Sequence, residues 1–207
     1  MKLTSTEERI LNGARELFFK QGIRTITMDD IAEHLAISKK TIYAHYKDKD
    51  LIVKSMFHAI IEQQTQEMLS IKKISENPVD EILQAMAHIG GFLSQFNPAV
   101  FYDLQKYYPQ VWSEFKVFRE KDLIGFVEDN LRKGIKLELY RKELKVKIIA
   151  RLRVEEVELG FNLEAYPMNH FNHAEVHVTL LEHFLYGIVT LKGNKMITKY
   201  LSNSKEN

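Results

Sequence analysis

TMDDIAEHLAISKKTIYAHYK, residues 27–47, is the stretch whose reading decides the fold. Thr27 and Asp30 stand at the spacing of a capping box, in which each side chain satisfies an amide at a helix start. Ile31 and Leu35 follow four apart and face inward together, with the small Ala32 beside them. After Ala36 and Ile37 the chain offers Ser38, a good N-cap. Ile37 and Ile42 occupy the two positions of a hydrophobic staple, which fixes the angle at which the chain enters the next helix. Ile42 and Tyr46 face inward on that second helix. Lys40, Ala44 and Lys47 face outward, with Thr41 and Tyr43 on the flanks. Two short helices joined by a tight turn read as a helix-turn-helix.

The second helix of such a unit lies in the DNA major groove with its first residues at the base edges. Lys39 and Lys40 suit phosphates or guanine acceptors, and Ala44 permits close approach and contact with a thymine methyl. Ser38, Thr41 and Tyr43 bring hydroxyls, and amides at a helix N-terminus favour anionic phosphate. Thr27 and Lys49, at two other helix starts, are placed to clamp the backbone on either side. Residues 39–49 hold four lysines and one histidine against the single acid Asp48. From spacing alone a second reading stands beside this one. Short helix pairs occur in proteins that never touch DNA, and a lysine-rich face is often merely solvated.

Outward from the motif the pattern stays helical. Ser5 and Glu8 have capping spacing ahead of Ile10, Ala14, Leu17 and Phe18, and Gly22 is a left-handed stop after Lys20. Asp48 caps a long fourth helix from Lys49. Asn77-Pro78 and Asn97-Pro98 open a fifth and a sixth helix, because proline at the first helical position gives up an amide that has no partner there. Pro109 opens a seventh, running to about Gly134. An eighth is expected over about 144–163 and a ninth over about 173–191. From Gly193 the polar chain is expected to fray. The expected class is all-α with about nine helices: a three-helix bundle at 1–48, a larger helical region at 49–200 and a frayed tail at 201–207.

Composition narrows the function. In 207 residues, 45% hydrophobic, there are nine glycines, four prolines and no cysteine. Disulfides, thiolate metal sites and a cysteine nucleophile are excluded. The N-terminus lacks the apolar core of a signal peptide. Leu180–Leu191 is too short to span a bilayer. A cytoplasmic protein with no membrane partner is expected. With 29 basic and 28 acidic residues the net charge is only +1, so any nucleic-acid affinity must come from a local patch. There is no nucleophile–base pair, Gly-rich phosphate loop or firm metal motif, so neither an enzyme nor a cofactor is expected.

Residues 27–51, with Ala14, Leu17, Phe18 and Gly22 before them, closely resemble the N-terminal signature of the tetracycline-repressor (TetR) family. The specific match covers about the first fifty residues. The resemblance implies a DNA-binding domain followed by a regulatory and dimerisation domain. It implies that Thr27 is the phosphate-binding cap of the second helix and that Ser38, Lys39, Lys40 and Thr41 form the reading start of the third. Tyr43 then matches a phosphate-contacting tyrosine, His45 a frequent contact position and Lys49 the lysine that opens the fourth helix. Lys47 completes the expected interface. The function so implied is a ligand-responsive repressor that binds a palindromic double-stranded operator as a homodimer and is released by a small molecule. The alternative is an all-helical carrier or enzyme with an incidental helix-turn-helix. Two departures stand out: Ala36 where the family often has glycine in the turn, and Tyr46 in place of the usual phenylalanine.

The larger region offers three expectations. Phe101, Tyr102, Trp112 and Phe115 are candidates for an effector pocket or for ordinary core. Glu155 and Glu156 would orient the ligand, or pair with Arg151 or Arg153. His170, His173 and His177 are spaced for one helical face but read as surface histidines, with no metal expected. Leu181, Phe184, Leu185, Gly187 and Ile188 of the ninth helix are expected at a dimer seam, since the resemblance implies that the eighth and ninth helices meet their symmetry mates.

Overall fold

The computed structural model of the chain describes residues 5–94 and 96–203. Its helices are α1 (Ser5–Gln21), α2 (Met28–His34), α3 (Lys39–Tyr43), α4 (Lys49–Ile74), α5 (Pro78–Leu93) and α6 (Ala99–Tyr107). They continue as α7 (Pro109–Phe118), α8 (Ile124–Lys136), α9 (Val146–Gly160), α10 (His173–Ile188) and α11 (Leu191–Asn203). Among the described residues there is no named strand, only an isolated antiparallel bridge between Tyr140 and Val189. The expected seventh helix is α7 and α8, joined by a π-helical turn at Arg119–Leu123.

The last helix, α11, replaces most of the expected frayed tail. Its lysines made the segment read as polar, but Ile197 is buried, and Gly193 lies so close to the Leu139 carbonyl that a Cβ could not fit. The Tyr200 hydroxyl, in turn, lies 3.0 Å from a Glu76 carboxylate oxygen and 2.8 Å from the Asn77 amide nitrogen. Residues 204–207 of the expected tail lie outside the described residues.

The chain divides into two compact units, and not at residue 48. One unit holds the chain as far as Gln64 together with the segment that ends at Phe115; the other holds Thr65–Ser94 and the chain from Lys116. Thus α4 begins in one and ends in the other, and α6 belongs with the three N-terminal helices.

The reason lies in what α6 grips. Gly22 ends α1 at a φ of +83°, a backbone that glycine adopts without strain. The Arg24 amide, just beyond, donates to the buried Asp103 carboxylate of α6 at 2.9 Å. Asn97 donates its backbone amide to Phe19 O at 2.9 Å and its side-chain amide to Lys20 O at 3.1 Å. These bonds satisfy carbonyls that the end of α1 leaves without helical partners. Phe101 meets Trp112 and Phe115 edge to face, with ring centres at 4.9 and 5.1 Å.

The second unit closes on Val79, Ile82, Leu131, Tyr140, Leu181, Phe184, Leu185, Ile188 and Ile197. Tyr140 lies flat over Gly134, where any side chain would collide with its ring. Its hydroxyl reaches Pro78 O at 2.8 Å and Asn130 Oδ1 at 3.0 Å.

Two of the three histidines expected at the surface are core residues, because Gly160 of α9 leaves room for the His177 ring. His170 is exposed. His173 Nδ1 lies 2.9 Å from Gly160 O. A carbonyl only accepts, so Nδ1 donates, and Nε2 is buried without a partner among the described residues. His177 Nε2 is likewise buried and unpartnered. Burial, then the Arg153 charge and His173, push the His177 pKa down to about 3. No group of three His, Asp or Glu side chains among the described residues is arranged to hold a metal ion.

A histidine held neutral makes the fold acid-sensitive. The unfolded chain takes up the proton near pH 6.5, while the folded chain refuses it until about pH 3. Stability is therefore complete above the unfolded value and falls as pH drops through that window. Between pH 7 and pH 5 His177 should cost about 2 kcal/mol. Urea unfolding at both pH values should show that loss in the wild type and a clearly smaller one in His177→Phe. Equal losses would contradict the assignment.

Candidate nucleic-acid interface

The two helices of the motif are capped as their residue types require. Thr27 Oγ accepts from the Asp30 amide at 3.2 Å, and Asp30 Oδ2 accepts from the Thr27 amide at 2.7 Å. The Asp30 carboxyl is held below its ordinary pKa, first by the hydrogen bond from the Thr27 side chain. Ser38 Oγ accepts from the Thr41 amide at 3.1 Å and lies 2.9 Å from its hydroxyl. Between the helices Ala36 takes a φ of +51°, and the Ile37 amide closes the turn on Ala32 O at 3.0 Å. Gly13 of α1 lets Leu35 approach so closely that a Cβ there would lie 2.5 Å from Leu35 Cδ2.

Beneath α3, Ile42 and Tyr46 are buried. The Tyr46 hydroxyl meets no partner among the described residues, and burial pushes its pKa up to about 12. With that face fixed inward, Ser38, Lys39, Lys40, Tyr43, Ala44 and Lys47 are exposed, as is Thr27 at the start of α2. Thr41 and His45 are half-buried, and His45 Nδ1 stands 3.8 Å from Glu7. Lys39 Nζ lies 2.5 Å from the Asp29 carboxylate, both side chains well exposed. Such a pair is worth little in water, so the lysine is available to a phosphate.

Lys49 is placed differently from the rest. Its ammonium donates to Ile23 O at 3.0 Å and Ile26 O at 2.7 Å, and desolvation lowers its pKa. The charge expected on DNA is engaged in holding the loop between α1 and α2. Asp103, which grips the same loop from α6, went unread in the sequence, and Asn97, read only as a helix start, also holds the end of α1. A carboxylate among the apolar residues of α6 was the signal.

The expected pocket residues fall into separate groups. Phe101, Trp112 and Phe115 pack on one another in the first unit, while Tyr102 is exposed with its hydroxyl 2.8 Å from Lys106 Nζ. Glu155 and Glu156 belong to the second unit. Glu155 faces Arg119 at 3.4 Å and Arg151 at 3.5 Å, and Glu156 faces the buried Arg153 at 3.3 Å. Burial raises the Glu156 pKa.

Most residues expected at a dimer seam lie inside their own unit. Leu181, Phe184, Leu185 and Ile188 are only 4, 6, 1 and 2% exposed. They form the face of α10 that packs within its own unit, and only Gly187 looks outward. The apolar side chains left outside sit on α9, where Ile148, Leu152 and Leu159 are 62, 51 and 42% exposed. Ala150, Arg153 and Val154 take the inward face instead.

The family model for bacterial regulatory proteins, tetR family, matches residues 10–56, which contain α2, α3 and most of α1. That N-terminal segment is similar to the DNA-binding domain of tetR-family regulators. An uncharacterized HTH-type transcriptional regulator of Bacillus subtilis, YvaF, is 28% identical over 121 residues, 56% of this chain and 61% of that protein. The chain thus spans less than two thirds of that relative's length. A TetR-family regulator from Agrobacterium tumefaciens shares the fold with a TM-score of 0.72 at 15% identity, over 90% of this chain and 98% of that one. A SmeT–triclosan complex shares it with a TM-score of 0.65 at 19% identity, over 91% and 93%.

Two substitutions separate the TetR-family motif's architecture from its contacts. Lys49→Met should lower stability by about 1.5–3 kcal/mol, because two carbonyls lose a charged donor. Lys40→Ala should leave stability unchanged but weaken DNA binding and reduce its salt slope by about one. Denaturant unfolding and salt titrations of both variants check this, and exchanged phenotypes would refute it. Ala36→Gly should stabilise the chain by about 0.5–1 kcal/mol, since relief of the left-handed alanine exceeds the entropy that glycine loses. A lower midpoint for that variant would contradict the turn geometry.

Proposed function

We propose that this chain is a ligand-responsive transcriptional repressor that binds a palindromic operator as a homodimer and leaves it when a small molecule binds. One observation carries the DNA-binding part: α3 is pinned by buried Ile42 and Tyr46 so that Lys40, Tyr43, Ala44 and Lys47 stand exposed together beside its capped start. Lys39, Ser38 and Thr27 extend that face, with Thr41 and His45 at its margin. As a DNA-binding regulator it acts in the cytoplasm.

The dimer rests on α9 rather than on the buried face of α10. Ile148, Leu152 and Leu159 recur at helical spacing on one exposed face. A two-fold interface brings such a face against itself. Two recognition helices then enter successive major grooves about 34–36 Å apart.

The effector is apolar or aromatic. Leu83, Met86 and Ile89 of α5, with Ile124 and Val127 of α8, are partly buried against the core of the second unit and supply an apolar wall. Pockets of this kind hold drug-sized ligands mainly through such walls. The solved complex of SmeT with triclosan shares the fold. Glu155 and Glu156 already face guanidinium groups and are not needed by the ligand. Release is a population shift: the effector favours a dimer with the wrong spacing of recognition helices. The helices α4 and α7 run from one unit into the other and are the levers.

A gel shift on the DNA upstream of the chain's own gene tests the reading. Retention of that DNA in preference to random duplex supports it, and equal affinity for both sinks it. The dimer has its own test. Leu152→Glu should give a folded monomer by sedimentation, with at least tenfold weaker operator binding. Phe184→Glu should instead unfold the second unit. A wild-type monomer at micromolar concentration would rule the dimer out.

A further inference from the structure

The near-neutral charge of the chain conceals a second basic surface, far in sequence from the recognition helix. Residues 132–147 contain seven lysines and arginines against two glutamates, and residues 191–203 contain three lysines and no acid. The fold brings these segments together. Arg141 N donates to Ile188 O and Thr190 N to Leu139 O, both at 2.9 Å, around the bridge between Tyr140 and Val189. Lys192 Nζ donates to Leu137 O at 2.9 Å, and Thr190 Oγ to Glu138 O at 2.8 Å.

Both arginines on this surface are already matched, Arg132 with Glu128 at 2.6 Å and Arg141 with Glu143 at 3.9 Å. The remaining cations are lysines. Among the described residues, Lys136, Lys142, Lys145, Lys147, Lys192 and Lys195 form no ion pair, and all six are exposed. Two apolar side chains stand out among them. Leu191 is 85% exposed and Leu137 48% exposed.

We propose that this face docks peripherally on an anionic lipid bilayer, with the lysines over the headgroups and Leu191 and Leu137 in the interface. Each lysine close to such a surface raises partitioning by on the order of fivefold, and a short apolar insertion adds to it. Lysine is a hydrated point charge that needs no fixed geometry, whereas directed phosphate recognition in nucleic acids favours arginine forks. The two leucines face solvent where a DNA backbone would offer them nothing. The expectation of no membrane partner rested on the lack of a spanning segment. No described helix is long and apolar enough to cross a membrane, and peripheral docking requires none.

Sedimentation of the full-length chain with vesicles of phosphatidylcholine and phosphatidylglycerol tests the proposal, with pure phosphatidylcholine vesicles as the neutral comparison. Binding to the anionic vesicles alone, weakened at least tenfold by 0.5 M salt, is expected. The triple charge reversal Lys142→Glu, Lys145→Glu, Lys195→Glu should abolish it. Leu191→Ser, at a position with no core contact to lose, should weaken it several-fold at constant charge. The pair Lys40→Ala, Lys47→Ala should leave it unchanged, which excludes the recognition helix as the source. Circular dichroism confirms folding, and Leu191→Ser keeps the test decisive if the triple variant does not fold. No binding to anionic vesicles would overturn the proposal, as would binding indifferent to Leu191 and the three lysines. So would a surface that loses affinity for random duplex DNA on charge reversal while ignoring vesicles.

Discussion

The burial of Ile42 and Tyr46 beneath α3 is the constraint on which the rest depends. A helix of five residues, Lys39–Tyr43, is far too short to hold itself together in water. Its shape is imposed by the core below and by the Ser38 cap at its start. That core in turn requires α1 to approach α2 across Gly13, and requires the loop between them to be fixed. Lys49 supplies the fixing from α4 and Asp103 from α6, while Asn97, just before α6, holds the end of α1. The exposed lysines and Tyr43 are therefore presented by a scaffold fixed by these hydrogen bonds. The Tyr46 hydroxyl is buried without a partner among the described residues.

The same scaffold explains why α6 belongs with the N-terminal helices. A carboxylate buried in an apolar helix is costly unless it finds a donor, and Asp103 finds the Arg24 amide. Position in the sequence placed α6 in the regulatory part, while hydrogen bonding places it with the DNA-binding part.

The helix-turn-helix was legible residue by residue because caps, staple and inward pairs are local signals. Even the left-handed Ala36 could be anticipated from the missing glycine. The fate of Lys49 was not legible: whether an ammonium meets a phosphate or a loop carbonyl depends on residues more than twenty positions away. The same holds for α10. Its apolar stripe was visible, but a stripe does not say whether its partner is the same chain or a second copy. The structure gives that stripe to the core and leaves Ile148, Leu152 and Leu159 outside. His173 and His177 read as surface residues because polarity suggested it, and only Gly160 reveals the room for an inward ring. The helix α11 was missed because its lysines made the segment read as polar and hid the inward Ile197.

The central claim is that α3 is a recognition helix presented twice to one face of a duplex. Hydroxyl-radical footprinting of the chain on its own upstream DNA tests it most directly. The account predicts two protected stretches on the same face, with centres about 10–10.5 base pairs apart or a multiple of that, both lost when Lys40 and Tyr43 are replaced together. Uniform protection along the duplex, or a footprint that survives the double replacement, would contradict it.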